Sequence, residues 1–306
     1  MNKVLVIRLG ALGDLVFCMR VFQSIRKHYK DSKTALLVRK PYAEFAKAMP
    51  WFDEIIIDEK PDFNISEWLG LRNKISKFKG DSDKITVYDF HCKKRQTILY
   101  FLFGGFLKTI WSGMAPFCKY RRDKVWTNTG HWIEDQKRQL EQSGIEWDNG
   151  ALNLDWLDAD ITKFNLPNNL IVFIPGSSKH DKQWGSDKFI ELANRIQKPI
   201  CLVGSKEEQI ICDEICSKNQ NIINLCGKTS LFELAGILRK ADLVIGGDTG
   251  PMHIASVLER KTIALYSKRT DAIRHKPIGT KTTVIQKQNM KDISLEEIIN
   301  HADKKS

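Results

Sequence analysis

Short, continuous apolar runs alternate along the chain with longer stretches in which apolar residues recur every three to four positions. KVLVIRL, from Lys3, is typical of a buried strand, and the stretch that follows LGALGD has helical spacing. The same alternation continues through four further runs: TALLVRK, EIIID, KITVYDF and KTIWSG. Strands that alternate with helices predict a parallel sheet that is covered by helices on both faces.

The pattern is interrupted between residues 148 and 169, DNGALNLDWLDADITKFNLPNN, where helix signals are few. Strand-like runs then return in LIVFIPGSS, PICLVGS, NIINLCG, DLVIGGDTG, TIALYS and TTVIQ, again with helical stretches between them. We therefore predict an α/β protein with two Rossmann-like domains, residues 1–150 and 151–306, whose parallel sheets face a cleft.

Charge is distributed unevenly over this pattern. The chain has 48 basic and 37 acidic residues, a net charge of +11. Residues 1–150 contain 26 basic and 18 acidic side chains, net +8, whereas residues 151–306 contain 22 and 19, net +3. A basic first half indicates an anionic partner, such as nucleic acid, a lipid surface or a phosphorylated substrate, although a solvated basic surface explains the charge as well.

The cysteines indicate neither a zinc site nor a disulfide framework. Seven cysteines are scattered without a CxxC pair, and Cys212 and Cys216 have no accompanying histidine. We expect no metal and no bound cofactor. The odd cysteine count and a start without a signal peptide favour a reducing cytoplasm.

The longest apolar run, 98–107, is too short to span a bilayer, and we expect a buried helix end there that passes into a strand.

Three turns between a predicted strand and a helix contain polar residues, and such turns are where ligands bind in open α/β sheets. The first, LGALGD, has Gly10 and Gly13 but not the full GxGxxG pattern. Its Asp14 is suited either to cap the helix or to act as a base, because the helix dipole favours the ionised carboxylate.

The second turn is PGSSKHDKQW, which begins at Pro175. Ser177 and Ser178 supply hydroxyl donors and Lys182 supplies an ammonium, which together suit the oxygens of a phosphate. A polar surface turn is the alternative explanation, and it accounts less well for the tryptophan at the end of the segment.

The third turn is GGDTGPMHIAS, residues 246–256. Thr249 and Gly250 offer N–H groups where the next helix begins, and a helix N-terminus is an anion site. Asp248 would repel a phosphate, so we expect it to accept hydrogen bonds from a hydroxyl or from backbone N–H groups. His253 follows in the first turn of the helix.

These three motifs, in this order, resemble glycosyltransferase family 9, the bacterial lipopolysaccharide heptosyltransferases. The resemblance implies the GT-B fold and a donor site formed by the second domain. It implies inverting transfer from ADP-heptose, with Asp14 as the general base on the acceptor hydroxyl. The donor residues that it implies are Ser177, Ser178, Lys182, Asp248, Thr249, Gly250 and His253.

We expect two substrates, a nucleotide sugar and a phosphorylated lipid-linked saccharide, with peripheral contact to the cytoplasmic face of the inner membrane. Candidate residues for the acceptor are Gly13, Arg39, Lys40, Lys93, Lys94 and Arg95. The segment 267–270, SKRT, replaces the turn that follows the corresponding strand in the family, so the donor sugar stays open.

Three alternatives remain at this point. The same fold could use another nucleotide sugar for surface polysaccharide synthesis. An NADP-binding oxidoreductase would place Arg39 and Lys40 on the 2′-phosphate, but the loop lacks the middle glycine of GxGxxG. A nucleic-acid-binding protein would use the basic half, but the chain has no recognisable nucleic-acid-binding motif, and we expect no such partner.

Overall fold

The computed structural model describes residues 2–59, 64–82, 85–91, 94–103, 109–122, 130–177, 180–219 and 221–304. The chain divides into two compact units, Met1–Trp156 and Leu157–Ser306. No helix in these described ranges is long and apolar enough to cross a membrane.

Within its described residues, the first unit contains a six-stranded sheet in which every strand pair is parallel. The strands are β1 (Lys3–Ile7), β2 (Lys33–Arg39), β3 (Glu54–Asp58), β4 (Ile85–Asp89), β5 (Ile110–Gly113) and β6 (Tyr120–Arg121). The helices are α1 (Leu12–His28), α2 (Ala43–Lys47), α3 (Ile65–Lys79), α4 (Lys94–Phe103) and α5 (Trp132–Gln142). The sequence pattern missed β6, because two residues are too few to show a period.

The second unit repeats this architecture with its own parallel sheet, six-stranded over the residues that are described. Its strands are β7 (Ile171–Ile174), β8 (Ile200–Leu202), β9 (Ile223–Asn224), β10 (Leu243–Gly247), β11 (Thr262–Ser267) and β12 (Thr282–Lys287). Its helices are α6 (Ser186–Arg195), α7 (Gln209–Lys218), α8 (Leu231–Lys240), α9 (Gly250–Val257), α10 (Ala272–His275) and α11 (Leu295–Asp303).

Both sheets have the Rossmann strand order. The first is β3-β2-β1-β4-β5-β6 and the second is β12-β11-β10-β7-β8-β9, which is the same order counted from β7. The prediction of two Rossmann-like domains is therefore confirmed. The strand order reverses between β1 and β4 and between β7 and β10, and ligands of such sheets bind outside the carboxyl ends of the strands at this reversal.

Continuous apolar runs form the central strands, since a parallel strand is covered on both faces. All four residues of β7 and all five of β10 are buried. The expectation for the apolar run 98–107 was partly wrong. Tyr100 is buried at the end of α4, but Leu102 is 54% exposed, and residues 104–107 lie outside the described part of the chain.

Candidate functional site

The switch point of the second unit brings together the loops that follow β7 and β10. Glycine is required in β10, because a Cβ on Gly246 would lie 2.7 Å from both Cβ and the carbonyl oxygen of Ile174 in β7. A Cβ on Gly247 would lie 3.1 Å from the carbonyl oxygen of Lys182. The two glycines therefore let the ends of β7 and β10 approach each other. They also let the backbone of Lys182 pass close to the end of β10.

Asp248 is the centre of the polar contacts at this point. Its Oδ2 lies 2.6 Å from Nζ of Lys182, and its Oδ1 lies 3.4 Å from Nε2 of His253. Burial alone would raise the pKa of Asp248, but the hydrogen bonds and charges of His253 and Lys182 outweigh it and lower the pKa to about 2. The carboxylate is held by the side chains of Lys182 and His253, and our expectation that it accepts from a hydroxyl or from backbone N–H groups stays a prediction.

Two further residues belong to this cluster, and the sequence analysis missed both. The buried Tyr266 hydroxyl donates to the carbonyl oxygen of His275 at 3.0 Å. Burial, together with the charge and hydrogen bonding of Asp248, raises the pKa of Tyr266. Burial lowers the pKa of His275. The negative charge of Asp248 acts against this shift, and the positive charge of Lys182 adds to it. Tyr266 lies within an apolar run that predicts a strand. Because tyrosine is common in strands, its position did not indicate a functional site.

Hydroxyl groups lie beside this charged cluster. Ser177 is 7% exposed, and its Oγ has no hydrogen-bond partner among the described residues; the same is true of Oγ1 of Thr249. Thr249 precedes α9 in an extended conformation, and the helix begins at Gly250. The first N–H groups of a helix have no partner within it, so they point at this site. Ser178 lies outside the described residues.

In the first unit, Asp14 lies in the first turn of α1. Its Oδ2 accepts a hydrogen bond from the N–H of Ala11 at 2.7 Å, and its Oδ1 lies 2.6 Å from NH2 of Arg8. A Cβ on Gly10 would lie 2.0 Å from the same Oδ2, so the carboxylate folds over that glycine. The side chain is 40% exposed, and each oxygen retains a further lone pair. The geometry therefore allows both capping and proton acceptance.

Arg8 was not identified from the sequence. It follows β1 directly and is 2% exposed, and its guanidinium donates to the carbonyl oxygen of Phe90 as well as to Asp14. Trp132 lies 5.7 Å from Arg8 and 4.9 Å from the buried Arg122, measured from ring centroid to guanidinium carbon. A charged residue directly after an apolar run was the available signal.

The acceptor candidates are not gathered into one described cluster. Arg39 is paired with the buried carboxylate of Asp58 at 2.6 Å, and Nζ of the exposed Lys40 is 3.8 Å from Glu59. Gly13 lies in the first turn of α1. Lys93 and the side chains of Lys94 and Arg95 lie outside the described residues.

Comparison with known proteins agrees with the fold and with the resemblance to glycosyltransferase family 9. The sequence profile of Glycosyltransferase family 9 (heptosyltransferase) matches residues 127–302, more than half of the chain. The lipopolysaccharide core heptosyltransferase OpsX of Haemophilus influenzae is 27% identical over 294 residues, which cover 91% of this chain and 81% of the relative. Lipopolysaccharide heptosyltransferase 3 of Escherichia coli is 27% identical over 299 residues, which cover 87% of this chain and 82% of the relative.

Solved structures give the same result for the fold. A glycosyl transferase family 9 protein from Veillonella parvula superposes with a TM-score of 0.84 at 21% identity, over 98% of this chain and 96% of that one. E. coli heptosyltransferase WaaC with ADP superposes with a TM-score of 0.78 at 17% identity, over 98% and 99% of the two chains. At these identities the superpositions establish the fold alone.

Proposed function

The chain belongs to glycosyltransferase family 9, the heptosyltransferase family, and from this premise we propose that it transfers a heptosyl group from ADP-heptose to a phosphorylated lipopolysaccharide-core acceptor. The predictions of the family and of sugar transfer as the activity are confirmed by the family match. Donor, acceptor and stereochemistry are part of the proposal, as are the roles of the site residues.

One observation carries the donor half of the proposal. Lys182 and His253 converge on Asp248 at the switch point of the second sheet, beside the N-terminus of α9. An ammonium and a helix N-terminus suit a diphosphate, which becomes more negative as the sugar leaves. Among the curated relatives are several named lipopolysaccharide heptosyltransferases, and one structural neighbour is described with ADP and with an ADP-2-deoxy-2-fluoro heptose.

In the proposed reaction, the acceptor oxygen forms a bond to the anomeric carbon as the bond from that carbon to the diphosphate oxygen breaks. The bonding electrons leave with ADP, and the proton of the acceptor hydroxyl passes to the carboxylate of Asp14. Displacement from the opposite face inverts the anomeric centre. Lys182 stabilises the departing diphosphate, and Asp248 holds the ammonium in place for it. No metal ion is required by this scheme.

The acceptor half rests on charge. The +8 balance of residues 1–150 suits a phosphorylated saccharide and an anionic bilayer surface. Because Arg39 is paired with Asp58, the exposed Lys40 is the better candidate of the two for a phosphate contact. We propose peripheral binding to the inner membrane on the same basis, and expect sedimentation with vesicles that contain anionic lipid but not with neutral vesicles.

The deciding experiment is a mass-spectrometric assay of several nucleotide sugars with a lipid A–core acceptor, in the presence and absence of EDTA. We expect heptose transfer from ADP-heptose that EDTA does not affect, and a product whose anomeric configuration is opposite to that of the donor. Transfer from a nucleotide hexose alone would instead support surface polysaccharide synthesis on the same fold. Loss of activity with EDTA would contradict the metal-free scheme.

A further inference from the structure

Three buried hydroxyl groups of the second unit have no hydrogen-bond partner among the residues that the structure describes: those of Ser177, Thr249 and Ser267. We refer to them as the hydroxyl row. Ser177 is 7% exposed and Ser267 only 3% exposed, so water does not reach these side chains freely. Buried polar groups are normally paired in folded proteins, and an unpaired one requires a physical explanation.

The three groups lie at the carboxyl ends of three neighbouring strands. Sheet register places one residue from each of three neighbouring strands side by side: Phe173 in β7, Ile245 in β10 and Ile263 in β11. Four residues further along each chain come the three members of the hydroxyl row. Since Ser267 ends β11 and the other two follow the last residues of β7 and β10, all three hydroxyl groups lie at the carboxyl edge of the sheet, where ligands of such folds bind. Ser267 is still within β11, and Thr249 is extended, with φ −141° and ψ 159°.

Positive charge lies at the same edge of the sheet, because Nζ of Lys182 is 2.6 Å from Asp248, which directly precedes Thr249. Gly247 precedes Thr249 by two residues, and its missing Cβ would point at the carbonyl oxygen of Lys182 at 3.1 Å. Lys182 therefore lies beside the carboxyl end of β10, and α9 begins directly after Thr249. Phosphate oxygens accept hydrogen bonds and donate none when ionised, so a row of hydroxyl donors beside an ammonium and a helix N-terminus suits a phosphate group.

The hydroxyl of Ser267 has no role in holding its own turn. The carbonyl oxygen of Ser267 accepts from the N–H of Thr270 at 3.0 Å and from Nε2 of Gln286 at 3.1 Å. Gln286 also donates to the carbonyl oxygen of Thr270 at 2.7 Å, and Arg269 pairs with Asp181 at 2.5 Å. These contacts fix the turn through its backbone and through other side chains, which leaves Oγ of Ser267 pre-positioned and available.

We infer that Ser267 is a donor-binding residue, whose hydroxyl donates a hydrogen bond to a phosphate oxygen of the nucleotide sugar in the same row as Ser177 and Thr249. This inference rests on the proposed function, because it takes the second unit as the donor site. It also gives a role to the segment 267–270, in which this chain departs from the turn of the family that it resembles.

The test compares Ser267→Ala with wild type by calorimetric titration with ADP. Loss of one hydrogen bond to a charged group predicts ADP binding weakened roughly tenfold. Ser217→Ala is the matched control, because the hydroxyl of Ser217 is on the exposed side of α7 and donates within its own helix. We expect wild-type affinity from the control.

The melting temperature without nucleotide separates binding from structure. Because the Ser267 hydroxyl has no partner among the described residues, its removal is expected to leave that temperature unchanged or raise it. A lower melting temperature together with normal ADP affinity would make Ser267 a structural residue and overturn the inference.

Three further outcomes test this inference together with the proposed function. If Ser177→Ala weakens ADP binding and Ser267→Ala does not, the donor site stands and the inference about Ser267 falls. If wild type binds UDP or GDP but not ADP, the proposed donor is wrong, and the same two variants titrated with that nucleotide decide the role of Ser267. Wild type that binds none of the three overturns both proposals.

Discussion

Replacement of Asp14 by asparagine separates its two possible roles. The substitution keeps the size of the side chain but removes its ability to take a proton at neutral pH. If Asp14 is the general base, turnover should fall by roughly 10²–10⁴-fold, which is the usual contribution of positioned base catalysis. ADP affinity should stay the same, because the proposed donor residues lie in the second unit.

The structure also predicts a cost in stability. The carboxylate accepts from Ala11 with one oxygen and from Arg8 with the other, so the amide NH2 of an asparagine would face one of these two donors. A hydrogen bond to a charged group is worth about 1.5–3 kcal/mol, and the 40% exposure of Asp14 reduces this, so we expect a loss of about 1–2 kcal/mol. For a unit of this size the melting temperature should fall by roughly 2–8 °C. From the sequence alone, without the Arg8 contact, we would expect little change.

Turnover should therefore be measured well below the melting temperature, with an acceptor titration to separate kcat from KM. Arg8→Gln is the matched control, because it removes the ion pair and leaves the carboxylate in place. Base catalysis predicts a much larger loss of kcat in Asp14→Asn than in Arg8→Gln. An asparagine variant that retains most of its turnover, or two variants with equal losses, would refute the assignment of Asp14 as the base.

Three other predictions concern the same two sites. Gly10→Ala should lower turnover because its Cβ would displace the Asp14 carboxylate, whereas Gly70→Ala, which has open space around the new Cβ, should retain wild-type activity in the same assay. Lys182→Ala should weaken ADP binding about 10–100-fold by calorimetry, because a diphosphate would lose its ammonium partner; unchanged binding would exclude Lys182 from the site. Since the pKa of Asp248 falls from 3.8 to about 2 on folding, its ionised form contributes about 2 kcal/mol of stability above pH 3.8 that disappears as the pH falls towards 2. The difference in unfolding free energy between wild type and Asp248→Asn should therefore shrink over that range. A constant difference would contradict the lowered pKa of Asp248 in the folded protein.

The sequence by itself determined the architecture. Runs such as KVLVIRL and DLVIGGDTG are long enough to show that their strands are buried on both faces, and hydrophobic periodicity is a local property that needs no knowledge of distant residues. Turn chemistry is equally local, so the glycines and the N-terminus of α9 were predictable from residues 246–256 alone. The candidate donor residues followed from those turns together with the resemblance to a family.

The partners of the side chains were decided only by the tertiary structure. Lys182 and Asp248 are 66 positions apart, and their ion pair exists because strand order places β7 beside β10. The buried position of Arg8 depends on the carbonyl oxygen of Phe90, which directly follows β4 and is 82 residues away. The hydroxyl row depends on the register of three strands from separate parts of the chain. Strand order and register arise from the packing of the whole unit, and a local pattern of apolar and polar residues contains neither.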